Sequence, residues 1–164
     1  CPNDGKEPGE QPMKILDVLN KETINIDLKA TDKKGILDEL VAPIAHLAGA
    51  SHDDLVRVLL ERERLGSTGI GGGIGIPHGK YKNLESLMLG FGLSRKGVNF
   101  ESLDGRPTHI FFLLVTPENS AGVHLKLLAQ ISKLLKDDDV KARLMKAETP
   151  EDVMAVIEQE DKEL

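Results

Sequence analysis

The chain is poor in cysteine and aromatic residues, and it lacks any hydrophobic run long enough to cross a membrane. Its 164 residues include one cysteine and no tryptophan, and aromatic residues make up 3% of the chain. The single cysteine, Cys1, cannot form an internal disulfide, which fits a reducing compartment. No apolar stretch approaches the roughly 20 residues that a membrane helix needs, and no signal segment opens the chain. These absences predict a soluble, cytoplasmic protein without membrane insertion.

Positive charge is also in deficit. The chain has 27 acidic and 21 basic residues, which gives a formal net charge of −6. Proteins that bind nucleic acids usually carry a basic patch and aromatic side chains that stack on bases. Neither property is found here, so we predict no nucleic-acid partner.

Length and hydrophobic content predict a single globular domain over residues 13–160. Hydrophobic residues make up 40% of the chain, and domains commonly have about 100–150 residues. Residues 1–12 are rich in proline, glycine and charge, and we predict that they form a disordered tail or are a remnant of expression. A leading cysteine also occurs in processed lipoproteins, which is the less favoured interpretation.

The most distinctive segment is a glycine-dense run over residues 66–80, with the sequence GSTGIGGGIGIPHGK. Glycine allows backbone N–H groups to approach an anion without a Cβ, and successive N–H groups in a turn form an anion-binding concavity. Pro77 fixes the backbone just before His78 and limits where its ring can point. An imidazole that is fixed in orientation and accessible can serve as a base, a metal ligand or a nucleophile.

Other interpretations of the glycine run fail on spacing. The dinucleotide fingerprint would need glycine at Ile74 or Ile76. The phosphate loop of nucleotide hydrolases needs serine or threonine after Gly79-Lys80, where Tyr81 stands. A zinc site is disfavoured because the histidines show no paired short spacing. We therefore predict no nucleotide cofactor and no metal.

Helix and strand signals interleave along the chain, which predicts an α/β architecture. The alternation of Ile24, Ile26 and Leu28 predicts a strand, and the apolar runs over 86–93 and 109–115 predict strands that are covered on both faces. Pro43 should kink or interrupt the first helix. Residues 94–97 are predicted to form a turn before a separate short strand around Val98 and Phe100. Predicted helix starts, from capping signals and helical periodicity, are Thr31, Ser51, Ser120, Asp137–Asp139 and Thr149-Pro150.

The glycine run and its flanks resemble the enzyme IIA domains of the bacterial phosphoenolpyruvate-dependent sugar phosphotransferase system, in the fructose and mannitol family. The resemblance extends from Ile15 to Ile157 and includes the sequences LLERERL at 59–65 and LLVTP at 113–117. The pairing of GSTGIG with IPHGK is most similar to the nitrogen-regulatory branch. The resemblance implies a central mixed β-sheet flanked by helices on both faces.

The same resemblance implies three site residues. His78 would be the nucleophile, whose unprotonated ring nitrogen accepts a phosphoryl group and later passes it on. His124 matches the family's second active-site histidine, near a helix start that can hold a phosphoryl oxygen. Arg62 matches the active-site arginine, whose guanidinium would offset the phosphoryl charge. By sequence alone, Arg64 is an obvious competitor, and the match of the sequence LERE to the family selects Arg62.

The remaining polar residues of the segment carry weaker signals. We predict that Thr68 and Gly79 support phosphate binding, although turn chemistry explains Thr68 and the neighbouring Ser67 equally well. Three histidines lack the family match and are predicted to be structural or solvent-facing. They are His46, His52 and His109.

The resemblance implies a phosphocarrier that accepts its phosphoryl group from the histidine-phosphocarrier protein of the system. Since no enzyme IIB domain accompanies the chain, a nitrogen-related regulatory output is favoured, in which partners distinguish the phosphorylated form from the bare form. One alternative is a sugar-transport enzyme IIA that hands the group to a cysteine on a separate enzyme IIB. A second alternative is a module that only binds a small anion.

Overall fold

The computed structural model describes residues 14–161, without the side chains of Ala121 and Asp161. The predicted tail over residues 1–12 lies outside this range. Within it, no helix has the length and apolar character needed to span a bilayer. The elements are α1 (Ile15–Val18), β1 (Leu19–Asn25), α2 (Lys33–Ala48), α3 (His52–Arg64), β2 (Gly69–Gly71), β3 (Ile74–Gly75), β4 (His78–Lys80), β5 (Met88–Val98), β6 (Thr108–Thr116), α4 (Ala121–Leu134), α5 (Asp138–Met145) and α6 (Pro150–Asp161).

The strands form one mixed sheet in the order β1-β5-β6-β3-β2, with β4 beside β6. β1 runs parallel to β5, and both β3 and β4 run parallel to β6. β5 and β6 pair antiparallel, as do β2 and β3. The predicted α/β class with a central mixed sheet is thereby confirmed.

Helices cover both faces of this sheet. Residues that alternate along β5 and β6 point to opposite sides, as the period of a strand requires. Phe91 and Phe112 pack edge to face at 5.0 Å on the side that is covered by α1, α4, α5 and α6. Phe111 packs at 5.1 Å from Phe100 on the side that is covered by α2 and α3. The central strands are therefore covered on both faces, which explains their continuous apolar sequences.

The first long helix differs from its prediction in two respects. Asp32, rather than Thr31, is its N-cap, and the Asp32 carboxylate accepts a hydrogen bond from the backbone N–H of Gly35. Pro43 does not interrupt the helix, which continues to Ala48. The apolar face of α2, including Leu40 and Ile44, is fully buried, and this packing offsets the backbone hydrogen bond that proline cannot make.

The predicted turn at residues 94–97 is wrong, because β5 continues through it to Val98. The pairing register between β5 and β6 shifts between Leu93 and Val98. Gly97 has a φ of 87°, and its N–H donates to the Ser94 hydroxyl. The turn-like residues therefore form an irregularity within one long strand.

Most other helix starts agree with the sequence signals. The side chains of Ser51 and Asp137 cap α3 and α5, and Pro150 is the first residue of α6. Ser120 precedes α4 without a side-chain cap. The predicted strand over 24–28 begins earlier, at Leu19, and ends at Asn25.

Candidate functional site

His78 lies at the start of β4, immediately after an interruption in the sheet. β3 and β4 pair with successive parts of β6, and Pro77 lies in the gap between them because it has no N–H to donate. The carbonyl of Pro77 still accepts the N–H of Leu114 at 3.0 Å. His78 therefore leaves a backbone that is held to the central strand on both sides of the proline.

One hydrogen bond defines the tautomer of the His78 ring. Its Nδ1 lies 2.7 Å from the carbonyl oxygen of Ile76. A carbonyl oxygen only accepts hydrogen bonds, so Nδ1 carries the proton. In the neutral ring, Nε2 then has a free lone pair, and the side chain is partly exposed. This is the arrangement that a nucleophilic imidazole requires.

A second imidazole faces the first. The rings of His78 and His124 lie 5.2 Å apart between centroids, at an interplanar angle of 66°. His124 is 6% exposed, and its Nδ1 lies 2.9 Å from the hydroxyl oxygen of Thr116. Thr116 is fully buried, and within residues 14–161 its hydroxyl has no other hydrogen-bond partner, so we infer that it donates to Nδ1, because its proton would otherwise lack an acceptor. The Nε2 of neutral His124 therefore carries a proton and is a hydrogen-bond donor.

Arg62 is the arginine that shares a cavity with the two histidines. It lies in the last turn of α3, and its guanidinium donates to the carbonyl of Gly66 at 3.0 Å. Arg64 instead lines a groove between α2 and α3. Gly79 permits this arrangement, because a Cβ there would lie 3.1 Å from Cγ1 of Val58 on α3. The absence of a side chain at Gly79 lets α3 pack closely against β4.

These elements enclose an open cavity of about 410 Å³. It brings together His78, His124, Arg62 and Gly79, four of the residues that the sequence singles out. Its lining residues are Val58, Glu61, Arg62, Leu65, His78, Gly79, Lys80 and His124.

Burial keeps both rings neutral near pH 7. It is the main cause that lowers the pKa of His78, and the nearby charge of Arg62 adds to it, against the opposing effects of the Ile76 carbonyl and Glu63. The pKa of His124 falls to about 4 because of burial, with smaller contributions from His78 and Lys80. Both imidazoles therefore favour the neutral form more strongly than a free imidazole, whose pKa is about 6.5.

This neutrality predicts a loss of stability in acid. Between pH 6.5 and 4 the unfolded chain protonates His124 while the folded protein does not. The free energy of unfolding is therefore undiminished by this histidine above pH 6.5, and it falls as the pH is lowered towards 4. We expect His124 to account for at most about 3 kcal/mol of unfolding free energy over this interval. Urea unfolding at pH 7 and pH 4 measures this change in the free energy of unfolding. A His124→Asn variant should lose less stability than the wild type, and an equal loss would contradict the assignment.

Thr68 does not line the cavity. Its backbone N–H donates to the buried carboxylate of Glu63 at 3.1 Å, and its hydroxyl donates to the other oxygen of the same carboxylate. The neighbouring Ser67 hydroxyl donates to the carbonyl of Phe100. Phosphate support by Thr68 remains a prediction, since in this structure both of its donors are already used.

The glycines before His78 form a hairpin and not a phosphate cradle. Gly71, Gly72 and Gly73 all have positive φ values; Gly71 ends β2, and Gly72 and Gly73 join it to β3. The N–H of Gly72 donates to the carboxylate of Asp104 at 3.0 Å. None of the glycines from 66 to 75 lines the cavity. The glycine run does bind an anionic group, but that group is a carboxylate of the chain itself.

Sequence reasoning missed three residues around the site. Thr116, which bonds Nδ1 of His124, ends an apolar strand, and its place in the sequence LLVTP does not reveal that role. Lys80 lines the cavity, whereas Glu63 does not line it and is buried, bonded to Lys33 at 2.9 Å. The burial of Glu63 between Arg62 and Arg64 becomes apparent only when the last turn of α3 is seen in its packed position.

The other histidines lie away from the cavity. His46 is exposed on α2, and the ring of His52 contacts Asp53 and the carbonyl of Asp38. The Nδ1 of His109 lies 2.9 Å from the carbonyl of Ser94. Across residues 14–161, no group of three histidine, cysteine or acidic side chains is arranged to hold a metal ion.

Comparisons with known proteins find relatives over nearly the whole domain. Residues 17–160 match the family described as "Phosphoenolpyruvate-dependent sugar phosphotransferase system, EIIA 2". The chain is 39% identical to a nitrogen regulatory protein of Bradyrhizobium diazoefficiens, over 88% of this chain and 95% of that protein. It is 36% identical to the fructose-specific EIIABC component of Bacillus subtilis, over 92% of this chain but only 24% of that longer protein.

A solved structure shows the same fold. The crystal structure of nitrogen regulatory protein IIA-Ntr from Neisseria meningitidis superposes with a TM-score of 0.82 and 31% identity, over 86% of this chain and 97% of that one. Together these similarities confirm the family expected from the glycine run and its flanks. They include both nitrogen regulatory proteins and a sugar-specific one.

Proposed function

The chain belongs to the EIIA 2 family of the phosphoenolpyruvate-dependent sugar phosphotransferase system, and from its cavity we propose that it carries a phosphoryl group on Nε2 of His78. The observation that carries this proposal is the bond from Nδ1 of His78 to the Ile76 carbonyl, which leaves Nε2 as the free nucleophilic atom. No metal or organic cofactor takes part in the proposed step.

The transfer step moves one phosphoryl group between two imidazoles. The lone pair on Nε2 of His78 forms the new N–P bond as the N–P bond on the donor histidine breaks, and that electron pair stays on the donor nitrogen. If the donor ring is protonated on its other nitrogen, it leaves as a neutral imidazole. The His78 ring takes up the positive charge, and the Ile76 carbonyl stabilises the Nδ1–H. Such a reaction depends on positioning and charge stabilisation.

Arg62 and His124 provide that stabilisation. The Arg62 guanidinium is permanently charged and can bond two phosphoryl oxygens at once. His124 offers an Nε2–H donor that remains neutral, so it can bond an oxygen without repelling the cationic His78 ring. Donors that are already fixed in a partly buried cavity stabilise developing charge more than the same donors in water.

The surroundings of the cavity suit a protein donor. Leu65 is 85% exposed and lines the cavity, and Leu125, beside His124, is 67% exposed. We call these two residues the apolar rim. Exposed leucines around a reactive group are typical of a surface that a partner protein covers. We propose that the histidine-phosphocarrier protein of the system docks here as donor, in the cytoplasm, where the family uses phosphoenolpyruvate.

We propose a regulatory output, because the nitrogen regulatory relative matches the chain at nearly full length. A doubly negative phosphoryl group beside the apolar rim would change which proteins can bind there. Sugar transport is the second candidate, favoured by the similarity to a sugar-specific EIIABC protein. In that case the acceptor would be a cysteine of an enzyme IIB domain.

One assay separates these outcomes. The purified chain is incubated with the general phosphotransferase proteins and phosphoenolpyruvate, its intact mass is recorded, and candidate enzyme IIB domains are then added. We expect a mass increase of one phosphoryl group that persists in their presence. Rapid loss of the label to an enzyme IIB would favour transport. No covalent adduct, with only reversible phosphate binding, would contradict the phosphocarrier function.

A further inference from the structure

A chain of hydrogen bonds leads from a buried ion pair to the His78 ring. Lys33 donates to Glu63 at 2.9 Å, and the Glu63 carboxylate accepts both the N–H and the hydroxyl of Thr68. The carbonyl of Thr68 accepts the N–H of Ile76 at 3.0 Å. The carbonyl of Ile76 accepts the Nδ1–H of His78 at 2.7 Å. We call this series of hydrogen bonds the Glu63 chain. All of its bonds join residues that the structure describes, and the series ends on the nucleophilic imidazole.

The Glu63 carboxylate is deeply placed for a charged group. Its side chain is 3% exposed, and that of Lys33 is 13% exposed. Burying an ion pair costs free energy unless its bonding capacity is well satisfied, and replacement by apolar residues is often neutral or stabilising. A buried charge that organises three donors around one point is better explained by the geometry that it imposes than by a gain in stability.

That geometry is transmitted mechanically. The Glu63 chain enters Thr68 through its N–H and hydroxyl but leaves through its carbonyl, which belongs to the next peptide unit. It crosses Ile76 in the same way, so electronic polarisation is not passed along it directly. When Glu63 holds Thr68 in place, it also holds the Thr68 carbonyl to which the N–H of Ile76 donates. Pro77 stiffens the backbone that follows. The position of the Ile76 carbonyl, and hence the direction of the His78 ring, therefore depends on Glu63.

We propose that Glu63 is a positioning residue, which acts through Thr68 and Ile76 to keep the His78 ring in the tautomer whose Nε2 is free. This inference rests on the proposed function for the role of His78. Glu63 does not line the cavity. Without its carboxylate, the Ile76 carbonyl would shift and Nδ1 would no longer hold the proton exclusively. Nδ1 and Nε2 would then compete for the incoming phosphorus.

The test combines a rate with a direct measurement of the tautomer. Glu63→Gln keeps the side-chain volume but replaces one acceptor oxygen by an NH₂ group and removes the charge. In protein labelled with ¹⁵N-histidine, we expect NMR to show a mixed tautomer for His78 in this variant and a single Nδ1–H tautomer in the wild type. We expect phosphorylation to slow roughly tenfold or more, because small displacements of a reacting group are costly. Some of the product should carry phosphorus on Nδ1.

Two further variants keep the test decisive. Thr68→Val removes the hydroxyl and leaves the backbone bonds, so it should show the same change in the His78 tautomer to a smaller degree. It serves as the test if Glu63→Gln does not fold. Glu160→Gln is the matched control, because it breaks the Arg143–Glu160 ion pair on α5 and α6, across the sheet from α3. We expect this control to keep the wild-type tautomer and rate.

The two possible failures are distinguishable. A folded Glu63→Gln variant with a wild-type tautomer would overturn the inference, whether or not its rate falls. If Glu63→Gln does not fold, an unchanged tautomer in Thr68→Val would overturn it equally. Because the tautomer is measured without any donor protein, this result stands even if the wild type accepts no phosphoryl group, which would refute the proposed function instead.

Discussion

Replacing His78 with alanine should abolish covalent phosphorylation. The lone pair on Nε2 of His78 is the nucleophile in the proposed step, and in the tautomer that we infer for His124 the facing Nε2 carries a proton and offers no lone pair. Loss of a nucleophile removes the covalent route entirely, whereas loss of a stabilising donor only slows it. Intact mass after incubation with the donor proteins and phosphoenolpyruvate should show the unmodified chain alone.

The matched control for this prediction is His46→Ala. His46 is exposed on α2 and lies outside the cavity, so this variant should be labelled like the wild type. Far-UV circular dichroism and thermal unfolding would show that both variants are folded. A phosphoryl adduct on folded His78→Ala would contradict the role of His78.

Replacing Arg62 with alanine should slow phosphorylation by roughly 100-fold or more, the range for removal of a fixed donor to a transition-state anion. The guanidinium is already held near the cavity by its bond to the Gly66 carbonyl, so little ordering is needed when the phosphoryl group arrives. Arg62→Lys keeps the charge but loses two-point bonding to the oxygens, so its rate should lie between those of alanine and wild type. Rapid-quench measurement of labelling under single-turnover conditions gives these rates.

Arg64→Ala is the matched control for Arg62. Arg64 is exposed on the same helix and faces the groove between α2 and α3, so its loss should leave the rate unchanged. If both alanine variants slowed labelling equally, the effect would come from the net charge of α3 and not from a bond to the phosphoryl group.

His124→Phe should cause a smaller loss of labelling rate than Arg62→Ala, because it removes a neutral donor.

The fold was largely readable from the sequence because its signals are local. The doubly buried strands β5 and β6 appear as unbroken apolar runs, and the caps of α3, α5 and α6 lie within a few residues of the groups that they bond. The errors arose where tertiary contacts override local preference. Packing of α2 carries the helix through Pro43, and pairing with β6 carries β5 through residues 94–97.

The candidate site was readable to a different degree. The motif and its flanks indicated His78, His124 and Arg62, and the fold brings these three together. The role of the glycines could not be foreseen, because Asp104, whose carboxylate accepts the N–H of Gly72, is distant in sequence. The Glu63 chain is likewise invisible in the sequence, since most of its bonds pass through backbone atoms whose partners are fixed by strand pairing.

The most direct test of the account is to locate the phosphoryl group on the modified chain. The ¹⁵N-histidine-labelled protein is phosphorylated by its donor, and ³¹P and ¹⁵N NMR are recorded before and after the transfer. We expect coupling of phosphorus to Nε2 of His78, with the Nδ1 proton retained. Phosphorus on any other residue, or on Nδ1 of His78 in the wild type, would contradict the central claim.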